Sequence, residues 1–313
     1  MSADALPTPA TAGRFRRWLL RAALALLLAL IALVAYAVWI VESFDTETLP
    51  LRHGQVDARL YAREGEQRRP LIVGLGGSEG GNAWTSDRWA RQRERFLDQG
   101  YTFLAVGYFG LPNTPAELDR IALEGVQAAI REARQDPRVH PDCVALIGGS
   151  RGAELVLLLG SHDPDIDAVV AIVPGSAVFP ALNAAMVTPG FSWQGQPLPF
   201  VPIPWSATGD LITGNLRGAF EKMMANTEAM AAAAIPVERL QGPVLFVSAT
   251  RDELWPSREM SDAMMERLRQ HGFAHAHEHL AVPGGHLAPL KRFADIERFL
   301  ATHYAPRCAA PAP

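Results

Sequence analysis

From Val144 to Leu158 the chain reads Val-Ala-Leu-Ile-Gly-Gly-Ser-Arg-Gly-Ala-Glu-Leu-Val-Leu-Leu. A short apolar run stops at Gly148, Ser150 follows with glycines two residues away on either side, and a helical run begins at once. This is Gly-x-Ser-x-Gly between a strand and a helix, the context in which the pattern makes a sharp turn that lifts its serine clear of a sheet edge. Such a backbone is crowded, and residues without Cβ at 148 and 152 relieve the crowding. The bland alternative is a glycine-rich turn carrying a passenger serine. Under both readings the chain is committed here to a strand that feeds directly into a helix.

The flanking sequence repeats that unit. Gln55 to Ala62 alternates apolar and polar, as a half-buried strand does. Pro70 to Leu75 is continuously apolar, the mark of a strand covered on both faces, and ends in the glycine-rich loop Gly76 to Gly81. A polar, Arg-rich helical stretch runs to Gln99 and is closed by Gly100; Tyr101 to Gly107 is another strand. Thr114 to Arg134 has helical periodicity, with Pro115 and Glu117 in its first turn. After Ala168 to Val173 the rhythm breaks. Val178 to Ile235 holds no strand of normal length, and its Pro, Met and aromatic content predicts an inserted, mostly helical lid over the sheet's C-terminal edge. Strands at Val244 to Ser248 and Ala274 to Val282, and helices at Ser257 to Arg269 and Pro289 to Thr302, complete the pattern before a short disordered tail. The alternation predicts an α/β domain over residues 50–305, a mostly parallel sheet with helices on both faces.

Ahead of it, the first dozen residues read as a disordered tail, and residues 1–21 as a basic cytoplasmic segment carrying Arg14, Arg16, Arg17 and Arg21. Residues 22–41 contain no charge, and a helix of that length spans about 30 Å, the thickness of a bilayer core. Trp18, Tyr36 and Trp39 lie near its ends, and Glu42, Asp45 and Glu47 follow it. The positive-inside rule keeps the N-terminus in the cytoplasm and places the domain on the outer (periplasmic) side. Ala35-Tyr36-Ala37 offers the alternative of a cleaved signal peptide, and Arg16-Arg17 that of a twin-arginine signal. A formal charge of -4 gives no electrostatic ground for a nucleic-acid partner. Cys143 and Cys308 form neither a framework nor a metal-ligand spacing, and nothing in the sequence favours pairing them.

A serine becomes a nucleophile only beside a base that a third group orients. Acid and base should follow Ser150 in that order, on loops after later strands. Asp252 follows the strand at 244–248, with Glu253 as an alternative acid, and His286 follows the strand ending at Val282. Backbone N–H groups would receive the oxyanion: that of Arg151, and one from the glycine loop, where Ser78 leads and Gly77 or Glu79 are its alternatives. The loop lacks the Lys-Ser/Thr and the regular glycine spacing of a phosphate cradle. His275, His277 and His279 alternate along one strand, a pattern that a solvated edge face explains as well as a metal does. No cofactor is implied.

From Gly74 to His286 the chain resembles the α/β-hydrolase domain shared by acyl-CoA thioesterases and bile acid-CoA:amino acid N-acyltransferase, and more loosely dienelactone hydrolases. The resemblance is carried by the Gly76 to Gly81 loop, Leu111-Pro112 with Leu123-Glu124, and Gly148-Gly149-Ser150-Arg151-Gly152-Ala153-Glu154. Ile235-Pro236-Val237-Glu238 with Gly242-Pro243-Val244-Leu245, Asp252-Glu253-Leu254-Trp255-Pro256-Ser257 and Gly285-His286 complete it. It implies an α/β-hydrolase fold and an acyl-enzyme on Ser150, with an acyl thioester or ester as substrate. Two departures qualify it. The aminoacyltransferase branch carries cysteine where Ser150 stands, and the mammalian members' N-terminal β-sandwich is replaced here by an apolar helix. The rival functions are a carboxylesterase or lipase acting on a lipid ester, and a non-catalytic hydrolase-fold binding protein.

Overall fold

The computed structural model describes residues 9–65 and 67–309, in two separate units, 1–45 and 46–313. The expected N-terminal tail lies outside the described residues up to residue 8, as does the chain beyond 309. The first unit is a single helix, α1 (Pro9–Glu42). Its segment Arg14–Glu42 is long and apolar enough to cross a membrane, and none of its most apolar window is buried.

The second unit is organised on seven strands: β1 (Asp57–Tyr61), β2 (Arg69–Leu75), β3 (Thr102–Gly107), β4 (Val139–Gly149), β5 (Ala168–Ile172), β6 (Val244–Ala249) and β7 (His277–Val282). They lie in the order β1-β3-β2-β4-β5-β6-β7. Only β1, at one edge, runs antiparallel to its neighbour. Successive side chains of a strand point to opposite faces, so the continuous apolar runs feed two cores. Leu71, Val73, Leu75, Leu146, Val169 and Phe246 enter one core, packed by α3 (Leu123–Ala133), α4 (Arg151–His162) and α8 (Ser257–Gln270). Ile72, Phe103, Ala145, Ile147, Val170 and Val247 enter the other, packed by α2 (Asp87–Asp98) and α9 (Phe293–Phe299). Each such Leu, Ile, Val or Phe contributes about 1.5–3 kcal/mol by leaving water.

Three stretches depart from the sequence pattern. Residues 111–120 form turns, and α3 begins only at Leu123. Arg120 sits at φ 46°. Its guanidinium is buried against Asp119 at 2.9 Å and donates to Thr46 O at 2.8 Å, contacts that a helical backbone at this point would not allow.

Within 178–235 only the second half is helical, as α5 (Thr208–Thr213), α6 (Leu216–Met224) and α7 (Thr227–Ala232). The first half is extended and irregular. Its strand Phe191–Trp193 pairs with Ile121–Ala122 and Gln196–Pro197 in a small second sheet.

The chain after Thr302 stays helical to Ala309 and brings Cys308 onto Cys143 in a disulfide that bridges 165 residues of sequence, with Cα atoms 5.7 Å apart. Tyr304, fully buried, donates to Leu71 O at 2.9 Å beside it. The sequence shows two cysteines without a pattern because the bridge is fixed by packing of the last helix, not by local spacing.

Candidate active site

Ser150 stands between β4 and α4 at φ 54° and ψ −122°, in the left-handed region that side chains with Cβ avoid. The glycines around it are sterically required. A Cβ at Gly148 would fall 2.2 Å from Gly152 O, and one at Gly152 would fall 2.1 Å from Gly76 O. The turn is pinned by Ser150 N donating to Ile172 O at 2.8 Å, and by the N–H groups of Ala153 and Glu154 on Ser150 O.

Asp252 and His286 lie beyond the ends of β6 and β7, and both are buried. His286 Nδ1 is 2.8 and 3.0 Å from the two carboxylate oxygens of Asp252. Ser257 Oγ donates to Asp252 Oδ2 at 2.6 Å, and the N–H groups of Leu254 and Trp255 donate to Oδ1 at 3.1 and 3.3 Å. Burial by itself pushes this carboxyl up. The hydrogen bonds from His286, Ser257 and the backbone outweigh it and hold Asp252 below the ordinary carboxylate value. Glu253, the alternative acid, accepts the backbone N–H of His286 at 2.8 Å. A Cβ at Gly285 would lie 2.4 Å from that Glu253 oxygen, which is why a glycine precedes the histidine.

Ser150 and His286 line one cavity of about 300 Å³ together with Gly76, Gly77, Ser78 and Glu79. The glycine loop reaches the serine closely: a Cβ at Gly77 would be 3.0 Å from Gly149 O and 3.2 Å from Ser150 Cβ. Tyr108, fully buried, with its phenol pushed up by that burial, donates to Gly76 O at 2.8 Å and Gly77 O at 3.3 Å. It thereby ties down the carbonyls of the loop. Arg151 opens α4, and the first N–H of a helix has no partner inside it. Its side chain is buried, donating to Phe179 O and Pro180 O at 3.2 and 3.1 Å and pairing with Glu154 at 2.8 Å.

The Asp252 to Ser257 run carries Ser257 to the carboxylate it bonds. Two features of the site are not visible as sequence motifs, Tyr108 under the glycine loop and an aromatic wall from Trp84, Trp89 and Phe293. The last two strand-following loops announce themselves by position; these residues are recruited by packing. Two of the three alternating histidines hydrogen-bond within the fold, and His275, ahead of the strand, packs its ring on Phe273. His279 reaches Ser248 Oγ at 2.7 Å and Asp262 at 3.0 Å, and His277 Nδ1 is 2.8 Å from His275 O. Among the described residues no cluster of His, Cys, Asp or Glu is arranged for a metal.

Residues 121–290 match the family model described as BAAT / acyl-CoA thioester hydrolase C terminal. The chain belongs to this family. It is similar to the peroxisomal succinyl-coenzyme A thioesterase of Mus musculus, 26% identical over 72% of this chain and 50% of that protein. Acyl-coenzyme A thioesterase 6 of Mus musculus is 30% identical over the same shares, 72% and 50%. The chain therefore spans about half the length of these curated relatives. Among solved structures, the ferulic-acid-bound Est1E of Butyrivibrio proteoclasticus superposes with a TM-score of 0.52, covering 80% of this chain and 96% of Est1E at 20% identity. That likeness is one of fold, and the fold of this BAAT / thioester hydrolase family member is the α/β-hydrolase fold.

Proposed function

We propose that the chain is a serine hydrolase acting on an acyl thioester or ester through Ser150, His286 and Asp252. The observation that carries the reading is the buried His286–Asp252 pair opening onto the same cavity as a serine held at positive φ. In this mechanism His286 takes the Ser150 proton as Oγ attacks the acyl carbon, and Asp252 holds the Nδ1–H and stabilises the imidazolium. The oxyanion of the tetrahedral intermediate is received by N–H groups of Arg151 and of the Gly77–Ser78 segment. As the intermediate collapses, the C–S or C–O bond breaks and the leaving group takes the proton from His286, leaving an acyl ester on Ser150. Water, deprotonated by His286, then attacks that ester, releases the acid and restores the serine. Serine rather than cysteine at 150 favours hydrolysis, because water deacylates an oxygen ester readily.

Labelling tests the reading. A fluorophosphonate probe is expected to modify the parent protein at Ser150 and to leave Ser150→Ala unlabelled. An unlabelled parent would instead favour a binding protein. Comparing kcat/KM on acyl-CoA with that on p-nitrophenyl esters of matched chain length separates thioester from ester preference.

We propose separately that the domain lies outside the cytoplasm, held by α1 or released by signal cleavage. Two observations support this. Most of the apolar side chains of α1 from Leu19 to Val41 are exposed and call for lipid, and the Cys143–Cys308 bridge belongs to oxidising compartments. The peroxisomal relative is matched over only half its length, so its address does not carry over. Alkylation of freshly lysed cells is expected to find both cysteines protected until a reductant is added. Free thiols in the folded protein would overturn the placement.

A further inference from the structure

The cavity at Ser150 has an unexpected construction. Its lining residues run from Leu75 to Trp89, from Gly148 to Ser150, through Ile172 and Val173, and from Leu254 to Phe293, with none from 178–235. The insertion, read from the sequence as a lid over the sheet's C-terminal edge, contributes none of this lining. It packs Phe179 and Phe220 on Trp255 and takes the Arg151 guanidinium on Phe179 O and Pro180 O.

The aromatic part of the lining is a wall of rings from the other core, with the Arg88 guanidinium over the Trp89 ring at 5.6 Å. Trp84 lies against Trp89 with centroids 4.8 Å apart, and Phe293 meets both edge-on at 6.2 and 5.5 Å. Leu290 completes the wall. Two of these residues are anchored in the core. Trp84 is buried against Phe103 at 4.9 Å, and a Cβ at Gly74 would collide with both rings, at 2.5 Å from Phe103 and 2.9 Å from Trp84. Phe293 belongs to α9, whose Ile296 and Phe299 lie in the same core. The buried Trp84 and Phe293 form the supported back of the wall, and the half-buried Trp89 and Leu290 its edge. The supported back sets a length.

Resting on the hydrolase reading above, we propose that Trp84, Trp89, Leu290 and Phe293 form the acyl subsite, and that it selects a medium-length apolar acyl group. A cavity of about 300 Å³ holds about ten water-sized volumes, taking ~30 Å³ for each. The reacting carbonyl and the leaving atom occupy about two or three of these, leaving room for an acyl chain of about six to eight carbons. Chains much longer than that would meet Phe293 and the buried indole of Trp84. Specificity thus comes from the segments that lead into and open α2 and α9, not from the insertion.

The test is a kcat/KM profile over p-nitrophenyl esters from acetyl to palmitoyl, for the parent, Trp89→Ala, Leu290→Ala and Trp205→Ala. Circular dichroism checks that each is folded. Trp205, on the insertion and 88% exposed, is the control. The parent is expected to peak near hexanoyl to octanoyl and to fall at least about tenfold by myristoyl. Trp89→Ala and Leu290→Ala should move the peak to longer chains by about two to four carbons, with Trp205→Ala superimposing on the parent. A flat parent profile, or a peak moved by Trp205→Ala and by neither wall variant, overturns the proposal. A second measurement does not depend on turnover. In the Ser150→Ala background, octanoate should change tryptophan fluorescence saturably, and the added Trp89→Ala should weaken that binding about tenfold or more. If Ser150 takes no probe yet octanoate binds in this way, the hydrolase reading fails and the subsite stands. If the probe labels Ser150 and octanoate shows no saturable signal, the subsite fails and the hydrolase reading stands.

Discussion

Replacing His286 with alanine, or Asp252 with asparagine, is expected to lower kcat by about 10⁴-fold while KM changes little, since both groups act on the transition state rather than on bound substrate. In free-energy terms that is about 5 kcal/mol of transition-state stabilisation. The Asp252→Asn effect has a particular origin. The carboxylate accepts Ser257 Oγ–H and two backbone N–H groups, and in the proposed mechanism it also accepts Nδ1–H of His286, which would leave the other ring nitrogen for the serine. An amide can offer its NH₂ to Nδ1 and so favours the wrong tautomer. Glu253→Gln is the informative contrast, because Glu253 holds only the backbone N–H of His286 and its amide can still accept that bond. Its cost should be within about tenfold, an estimate from the small net worth of one such bond. Equal losses at 252 and 253 would sink the assignment of Asp252 as the orienting acid. The pH profile adds a check of sign. Asp252 is held below its ordinary value, so its favourable contribution is present above about pH 4 and is lost only as pH falls through the lower folded value. An acid limb of kcat near neutral pH therefore belongs to another group.

What the sequence discloses of this site, and what it hides, follows from how each residue is placed. Ser150, Asp252 and His286 sit just past strands, and strands covered on both faces are legible as apolar runs, so the loops that follow them are legible too. The glycine loop at 76–81 is legible for the same reason. The pattern fails where tertiary contacts override local periodicity. Residues 114–120 read as part of a helical run, yet the buried Asp119–Arg120 pair and the bond to Thr46 O take the backbone out of a helix. The wall of the cavity fails differently. Trp84 and Trp89 fall in a stretch that reads as polar and Arg-rich, and Phe293 in a C-terminal helix some 200 residues on. No periodicity relates them, because they meet only through the sheet face they share. The insertion shows the limit of composition: its apolar content fits a lid, but Phe179 and Phe220 pack on Trp255, the Arg151 side chain of α4 donates to Phe179 O, and Arg217 donates to Asp252 O.

Replacing Arg151 with methionine is expected to destabilise the protein by about 3–5 kcal/mol at pH 8 and by distinctly less at pH 5. Arg151 and Glu154, one turn apart on α4, are both buried, and their ion pair lies directly behind the serine turn. Burial pushes the Glu154 carboxyl up to about 7, with the Arg151 charge and the Phe179 N–H pulling it back down. The sign follows from linkage. A carboxyl whose folded value lies above its unfolded value of 4.5 contributes stability that is complete below that value and is lost as pH rises through about 7. Without Arg151 the folded value rises further, so the loss continues past neutrality and the gap between parent and variant widens with pH. At pH 5, where Glu154 is protonated in both proteins, the remaining cost is that of the Phe179 and Pro180 carbonyls losing their donor, about 1–3 kcal/mol. Urea unfolding of both proteins from pH 5 to pH 9 measures this directly. A gap that stays constant across that range would show that Glu154 does not titrate there. A gap that opens as expected would mean that the pair joining the serine turn to residues 179–180 weakens in acid, while the Asp252–His286 pair, with its depressed carboxyl, keeps its negative charge.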